Sequence, residues 1–244
     1  MSSSTRVLPA GMYGYLQLCR VSNLPTVWVN VLAACLLSGG DLSWLKVSLL
    51  LTGISMAYCG GMAMNDCVDS AADTLHRPER PIPSGRITVT QGTVLYVILF
   101  FFAVVTFAAA GGIPAFAAGI FLLILIVLYN LVHNLSPLSV IPMAGCRFMI
   151  YVVSGLACSG TLSFPLLALA TVQFGYILLL SLAARLEKGG KVKRRGMPLV
   201  PVMLAGIPVV DGIALAFVVG PGWFTAGIAG GAATLAFQRK VRGD

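Results

Sequence analysis

Apolar residues run along this chain in long blocks, each about as thick as a bilayer, and polar residues collect in the short gaps between them. Eight blocks stand out, at roughly 20–38, 45–66, 92–111, 113–133, 138–158, 162–184, 198–218 and 221–238. A continuous apolar stretch of about 20 residues crosses the hydrocarbon core as a helix, whereas a membrane barrel shows short alternating segments. The pattern predicts an all-α fold, a polytopic transmembrane helical bundle of eight spans, as one domain over residues 1–244. The longest polar stretches, 67–91 and 185–197, are expected as internal loops of that bundle.

Composition agrees. The chain is 58% hydrophobic and 10% charged, with a mean hydropathy of +0.92, where a soluble domain carries about 25% charged residues. A net charge of +8 raises nucleic acid and anionic lipid as partners, and its distribution decides between them. Arg6 precedes the first span, Arg77, Arg80 and Arg86 follow the second, Arg185 to Arg195 follow the sixth, and Arg239, Lys240 and Arg242 close the chain. The connections at 39–44, 111–113, 159–163 and 219–222 carry no Lys or Arg. Basic loops stay inside, so the sequence predicts an integral protein of a bacterial inner membrane with both termini cytoplasmic. No basic region stands apart from these loops and no recognition motif accompanies them, so no nucleic-acid partner is expected. Met1 to Pro9 lacks the compact apolar region of a secretory signal.

The six cysteines, Cys19, Cys35, Cys59, Cys67, Cys146 and Cys158, are scattered without a Cys-x-x-Cys pair and read as small packing residues. Neither His76 nor His133 stands at zinc-ligand spacing from a cysteine pair. Clusters such as Gly60-Gly61 and Gly227–Gly230 fit close helix packing.

Candidate chemistry concentrates at the end of the second span. Asp66, Asp69 and Asp73, three of the eight acidic residues, fall within eight positions. At ~100° per helical residue, and with Asp66 as zero, Asp73 lies at about −20°, Asp69 at about −60° and Asn65 at about −100°. Three carboxylates and a carboxamide thus share one face where a membrane helix meets a polar loop. Such a cluster repels itself unless a cation neutralises it. Arg77-Pro78, Arg80-Pro81, Pro83 and Arg86 follow at once. Acid followed by base suits a divalent metal bridging carboxylates to a phosphate whose outer oxygens are held by arginines.

The run from Asn65-Asp66-x-x-Asp69-x-x-x-Asp73 through Arg77-Pro78-x-Arg80-Pro81-Ile82-Pro83-Ser84-Gly85-Arg86 resembles the first aspartate-rich motif of the UbiA superfamily of intramembrane prenyltransferases. The resemblance implies that Asn65, Asp66, Asp69 and Asp73 bind Mg2+ and an isoprenoid diphosphate. In the family a second loop carries another aspartate pair for a second Mg2+. Here that loop reads Arg185-Leu186-Glu187-Lys188-Gly189-Gly190-Lys191, and Glu187 is its one acidic residue. Either Glu187 holds a second ion, or Arg185, Lys188 and Lys191 neutralise the leaving diphosphate directly. This pattern is similar to EboC-like members of the superfamily.

Polar residues inside the spans fit a cavity. Arg147, in the fifth span, must face protein or water, and Gly145-Cys146-Arg147 resembles a family segment beside the active cavity. Tyr129 and His133 stand where family members often carry Tyr and Lys, and Asn30 lies in a segment that resembles the family's first helix, with Arg20 at its inner end. Asp211, between Pro208 and Gly212, has no partner that the sequence identifies.

With these residues, the resemblance implies a magnesium-dependent prenyltransferase. On that reading Asp66 and Asp69 would hold the metal against an allylic prenyl diphosphate donor, and Arg77, Arg80 and Arg86 would clamp the departing group. The carbocation passes to a lipophilic or aromatic acceptor within the membrane lipids, with Phe100 to Phe102, Tyr129 and Phe148 as candidate aromatic shelter. Two alternatives stay open: a UbiA-type terpene cyclase, and a non-catalytic lipid-handling subunit. The family usually has nine spans, so a ninth would follow residue 238.

Overall fold

The computed structural model describes residues 10–40, 42–188 and 199–241. Among them are ten α-helices: α1 (Ala10–Leu18), α2 (Leu24–Leu37), α3 (Trp44–Val68), α4 (Ser70–His76), α5 (Val89–Ala110), α6 (Ile113–Val132), α7 (Val140–Ser159), α8 (Phe164–Lys188), α9 (Leu199–Val218) and α10 (Trp223–Lys240). Helix is the outcome physics favours here. In hydrocarbon every backbone N–H and C=O must be paired, and a helix pairs them within its own segment.

The ends follow local chemistry. Thr88 and Gln91 form a reciprocal capping box that opens α5: Gln91 N–H donates to Thr88 Oγ1 at 3.2 Å and Thr88 N–H to Gln91 Oε1 at 2.9 Å. Proline stands in the first turn of α2 and of α6, where no intrahelical N–H is needed. Gly160 closes α7 at φ 73°, a left-handed cap that other residues adopt at a cost.

Eight helices coincide with the eight apolar blocks. Six of them (α3, α5, α6, α7, α8 and α9) are long and apolar enough to cross a membrane. A seventh crossing qualifies if Gly11–Leu18 and Val21–Leu37 are counted as one span bent by 50°. The eighth block forms α10, which does not meet that test, because its last three residues are Gln238, Arg239 and Lys240. Its end nonetheless lies beside the start of the chain's described part: Tyr13 Oη donates to the Lys240 carbonyl at 3.2 Å, and Gln238 Nε2 to Asn23 Oδ1 at 2.9 Å.

Helix α2 sits inside the bundle against α3, α7, α9 and α10, with α3 packed on α5 and α7 between α6 and α8. One core joins Val27, Val31, Leu50, Ile54, Phe107, Leu122 and Ile150 across α2, α3, α5, α6 and α7. A second joins Ala33, Tyr151, Leu166 and Leu215 across α2, α7, α8 and α9. Helices α9 and α10 meet through Gly212 and Gly227, where a Cβ on either would come within 2.7 Å of the other's Cα. Outward side chains such as Ile113, Phe164 and Phe217 are more than four-fifths exposed, as expected of residues facing lipid tails.

Candidate active site

The acidic cluster straddles the junction of α3 and α4. Asn65 and Asp66 lie in the last turn of α3, Asp69 caps both helices, and Asp73 lies in α4. The i→i−4 ladder runs on through the junction, with Asp69 N–H to Asn65 O at 2.9 Å and Asp73 N–H to Asp69 O at 2.8 Å. Helical register therefore persists, and the shared face resolves into two edges.

On one edge Asp66 and Asp73 converge on Arg80. Arg80 Nη1 donates to Asp73 Oδ2 at 2.5 Å and to Asp66 Oδ1 at 3.2 Å, and all three side chains are at most 10% exposed. Arg20 reaches the same Asp66 oxygen from the bend between α1 and α2, at 3.2 Å. Two carboxylates and two guanidiniums thus form a charge-balanced group, with Arg20 its most exposed member at 19%. Arg20 is also the non-glycine residue with positive φ among the described residues, at φ 45° and ψ 47°. A left-handed conformation costs a side-chain-bearing residue about 1–2 kcal/mol, which the two ends of its contact, the bend and the carboxylate, hold in place.

On the other edge Asp69 meets α6 and the loop after it. His133 Nε2 lies 2.9 and 3.0 Å from the two Asp69 oxygens, Asn134 Nδ2 donates to Asp69 Oδ1 at 2.8 Å, and Asn65 Nδ2 lies 3.5 Å from His133 Nε2. Tyr129 stacks against His133 with ring centroids 5.4 Å apart, and is within electrostatic reach of Arg20, Asp69 and Arg185. Tyr58 of α3 stands within electrostatic range of both Arg20 and Arg147.

The remaining candidates take different positions. Arg86 is exposed and ties the loop down, donating to Ser84 Oγ at 2.9 Å, Gln17 Oε1 at 2.7 Å and the Glu79 carbonyl at 2.6 Å. Arg77 is half-buried, and its backbone N–H closes α4 on the Asp73 carbonyl at 2.7 Å. Glu187 accepts the Leu199 N–H at 3.2 Å and so caps the start of α9, while Arg185 is exposed. The Lys188 side chain and Lys191 lie outside the described residues. Phe101 and Phe102 point outward at 62% and 47% exposure, whereas Phe100 packs over Gly60 against the core shared by α3 and α5.

Asn30 and Arg147 belong to a second, deeper network. Arg147 Nη1 donates to Asn30 Oδ1 at 2.5 Å and Nη2 to Thr26 Oγ1 at 3.4 Å. Asn30 Nδ2 donates to Tyr151 Oη at 2.7 Å and to Asp211 Oδ2. Asp211 Oδ1 in turn accepts from Tyr151 Oη at 2.5 Å and Gln173 Nε2 at 2.9 Å. Sequence reasoning missed Tyr151, Gln173 and Asn134, and left Asp211 without a partner. A signal existed for Tyr151, which follows Arg147 by four residues and therefore shares its helix face.

The oxygen-rich first cluster fits a hard divalent cation. Among the described residues no three of His, Cys, Asp and Glu gather at one metal-sized point. Magnesium needs no such cage, since it takes one or two carboxylates and completes its octahedron with substrate phosphates and water.

Apolar helices long enough to cross a membrane, gathering carboxylates and arginines where α3 meets α4, define the class: a polytopic intramembrane helical bundle with a buried ionic cluster. The profile of the UbiA prenyltransferase family matches residues 23–242, and the chain belongs to that family. A digeranylgeranylglyceryl phosphate synthase of Sulfolobus acidocaldarius is 28% identical over 180 residues, which is 72% of this chain and 62% of the relative. The same enzyme of Methanothermobacter thermautotrophicus is 36% identical over 90 residues, 36% of this chain and 31% of the relative. The chain thus spans less than two thirds of the length of these curated relatives.

Solved structures share the fold. A digeranylgeranylglyceryl phosphate synthase structure aligns at a TM-score of 0.61 and 17% identity, covering 95% of this chain and 94% of the other. A UbiA homologue from Archaeoglobus fulgidus bound to DMAPP and Mg2+ aligns at 0.60 and 16% identity, covering 93% and 86%.

Proposed function

We propose that this protein is a magnesium-dependent intramembrane prenyltransferase, moving an isoprenoid chain from an allylic prenyl diphosphate to a lipophilic or aromatic acceptor. The observation that carries the reading is the group formed by Asp66, Asp73, Arg20 and Arg80, buried at a helix end and flanked by Asp69. It offers oxygens to a hard cation and guanidiniums to diphosphate oxygens within one small volume. Asp66 and Asp69, with Asn65 and Asp73, would hold Mg2+, which supplies positive charge where the leaving diphosphate develops its negative charge. Arg20 and Arg80 would exchange their carboxylate partners for phosphate oxygens, orienting the donor with its chain toward the apolar interior. Tyr58 and Tyr129, both within electrostatic range of Arg20, would lie beside the allylic cation, whose capture by water apolar surroundings would suppress. The named relatives make a lipid phosphate, which favours a lipophilic acceptor.

The chain is an integral membrane protein. We place it in the cytoplasmic membrane of a prokaryote, with the site and both termini on the cytoplasmic side. Supporting this orientation, Arg86 and Lys240 both reach α1, the first through Gln17 and the second through Tyr13, so these two basic positions sit at the same end of the bundle.

The test is product analysis. Purified protein in lipid nanodiscs, given Mg2+ and dimethylallyl, geranyl or geranylgeranyl diphosphate with native lipid extract, should release diphosphate and yield a prenylated lipid by mass spectrometry. Diphosphate release with donor alone, giving a cyclic hydrocarbon, would convert the reading to a cyclase. No turnover of any donor would overturn it.

A further inference from the structure

The deeper network contains a charge that the proposed chemistry does not use. Asp211 is fully buried in α9, and Tyr151, Gln173, Asn30 and Thr26 around it are equally inaccessible. Its hydrogen bonds come from neutral donors: Tyr151 and Gln173 at Oδ1, and Asn30 at Oδ2. A carboxylate in that setting requires a compensating cation nearby. Arg147 supplies it across a single carboxamide. Asn30 presents its oxygen to Arg147 and its nitrogen to Asp211, so its dipole is aligned between unlike charges on α7 and α9.

We propose that Asp211 is a positioning residue for the transfer reaction, fixing the Arg147 guanidinium against the reacting interior through Asn30. The inference rests on the prenyltransferase reading above. Three features support it. Arg147 is anchored at two nitrogens, by Asn30 and Thr26 one helical turn apart on α2, which sets the plane of its guanidinium. The half-buried Arg147 side chain lies within reach of Tyr58, whose other cationic neighbour is Arg20 at the diphosphate end. Asn30 itself cannot rotate, because reversing its amide would set its nitrogen against Arg147 and its oxygen against the Asp211 carboxylate. Asp211 therefore selects one orientation of Asn30, and Asn30 selects one orientation of Arg147. A purely structural fastening between membrane helices needs no charge, since small residues and single amides serve.

The test combines kinetics with an infrared signature, in the full chain in nanodiscs. Asp211→Asn keeps the shape and removes the charge. It should lower kcat about 100-fold, the scale of a misplaced catalytic geometry, with KM for geranylgeranyl diphosphate unchanged, because Arg20 and Arg80 are untouched. Tyr151→Phe, a milder change that guards against misfolding of the first variant, should cost about tenfold, the worth of one hydrogen bond to a charged group. The double variant Asp211→Asn with Arg147→Gln should be no slower than Arg147→Gln alone. Independently of turnover, Arg147→Gln should produce a protonated-carboxyl stretch that disappears when Asp211→Asn is added, since an uncompensated buried carboxylate takes up a proton. Multiplicative losses in the double variant, or wild-type kcat in Asp211→Asn, would overturn the positioning role. Absence of the infrared band would overturn the coupling. A wild-type protein inactive on all donors would sink the prenyltransferase reading and the catalytic part of this one, and the band would still decide whether the two charges are linked.

Discussion

Asp66 and Asp73, seven residues apart on either side of a helix junction, share one nitrogen of Arg80, at 3.2 and 2.5 Å. Seven residues are close to two helical turns, so the pair stays in line only because the helical ladder continues through Asp69. The arrangement makes Arg80 the keystone of the acidic cluster, and it sets the first expectation.

Arg80→Ala leaves two buried carboxylates facing each other with Arg20 as their remaining cation. Removing one partner of a buried ion pair costs about 3–5 kcal/mol, so thermal unfolding in detergent should move well below wild type. Arg80→Lys should recover most of the stability and little of the rate, because an ammonium cannot serve two carboxylates or a diphosphate in a planar fork. Equal activity in Arg80→Lys and wild type would contradict the assignment.

Asp66→Asn and Asp69→Asn should each abolish turnover and magnesium-dependent binding of geranylgeranyl diphosphate, measured by equilibrium binding to nanodisc-held protein. Both variants should insert normally, since an amide is cheaper than a carboxylate at membrane depth. Retention of metal-dependent affinity in both would remove the first cluster from the mechanism.

Arg20 separates backbone from side chain. Both Arg20→Gly and Arg20→Ala lose the contact with Asp66 and should be equally impaired in turnover. Glycine adopts φ 45° freely and alanine does not, so Arg20→Gly should be the more stable of the two by about 1 kcal/mol. Identical melting temperatures would show that the bend relaxes once the ion pair is gone.

Glu187 accepts a backbone N–H at the start of α9, and glutamine can accept the same bond. Glu187→Gln should therefore fold normally and keep its rate across a magnesium titration, while Arg185→Ala slows turnover. A raised magnesium requirement in Glu187→Gln, relieved by surplus metal, would instead identify a second ion at this loop.

Orientation is open to direct labelling. In a cysteine-free background, Ser84→Cys should react with membrane-impermeant maleimide from the cytoplasmic side and Thr161→Cys from outside only. The reverse pattern would invert the proposed topology.

Much of this architecture was legible in the chain. The apolar blocks located the helices because crossing a bilayer fixes length and composition together. Helical angles at the acidic motif placed the four polar residues on one face, and the structure divides that face: Asn65 and Asp69 lie on the edge toward His133, Asp66 and Asp73 on the edge toward Arg80. What stayed hidden depended on contacts between distant segments. Arg20 finds Asp66 across 46 positions and Tyr151 finds Asp211 across 60, and periodicity carries no information at that range. The role of Arg86 was hidden for a related reason: its partner Gln17 lies 69 positions away, and an arginine beside a phosphate-type motif reads the same whether it clamps a ligand or a loop. The apolar block at 221–238 located α10, but the helix runs on into Arg239 and Lys240, and that basic end leaves it less apolar than the six long spans.

The deeper network also has an order in time. Ribosomal synthesis delivers α2 first, then α7, α8 and α9. When Arg147 reaches the bilayer, Asn30 and Thr26 have already been made and can solvate it. When Asp211 arrives, Asn30, Tyr151 and Gln173 are all in place. Each ionisable residue, which would cost about 2.5–3.5 kcal/mol at the centre of an isolated inserted helix, thus enters a membrane that already contains its neutral partners. The sequence order of the network lets a chain with two opposite charges at bilayer depth be inserted helix by helix, with neither charge waiting alone in lipid.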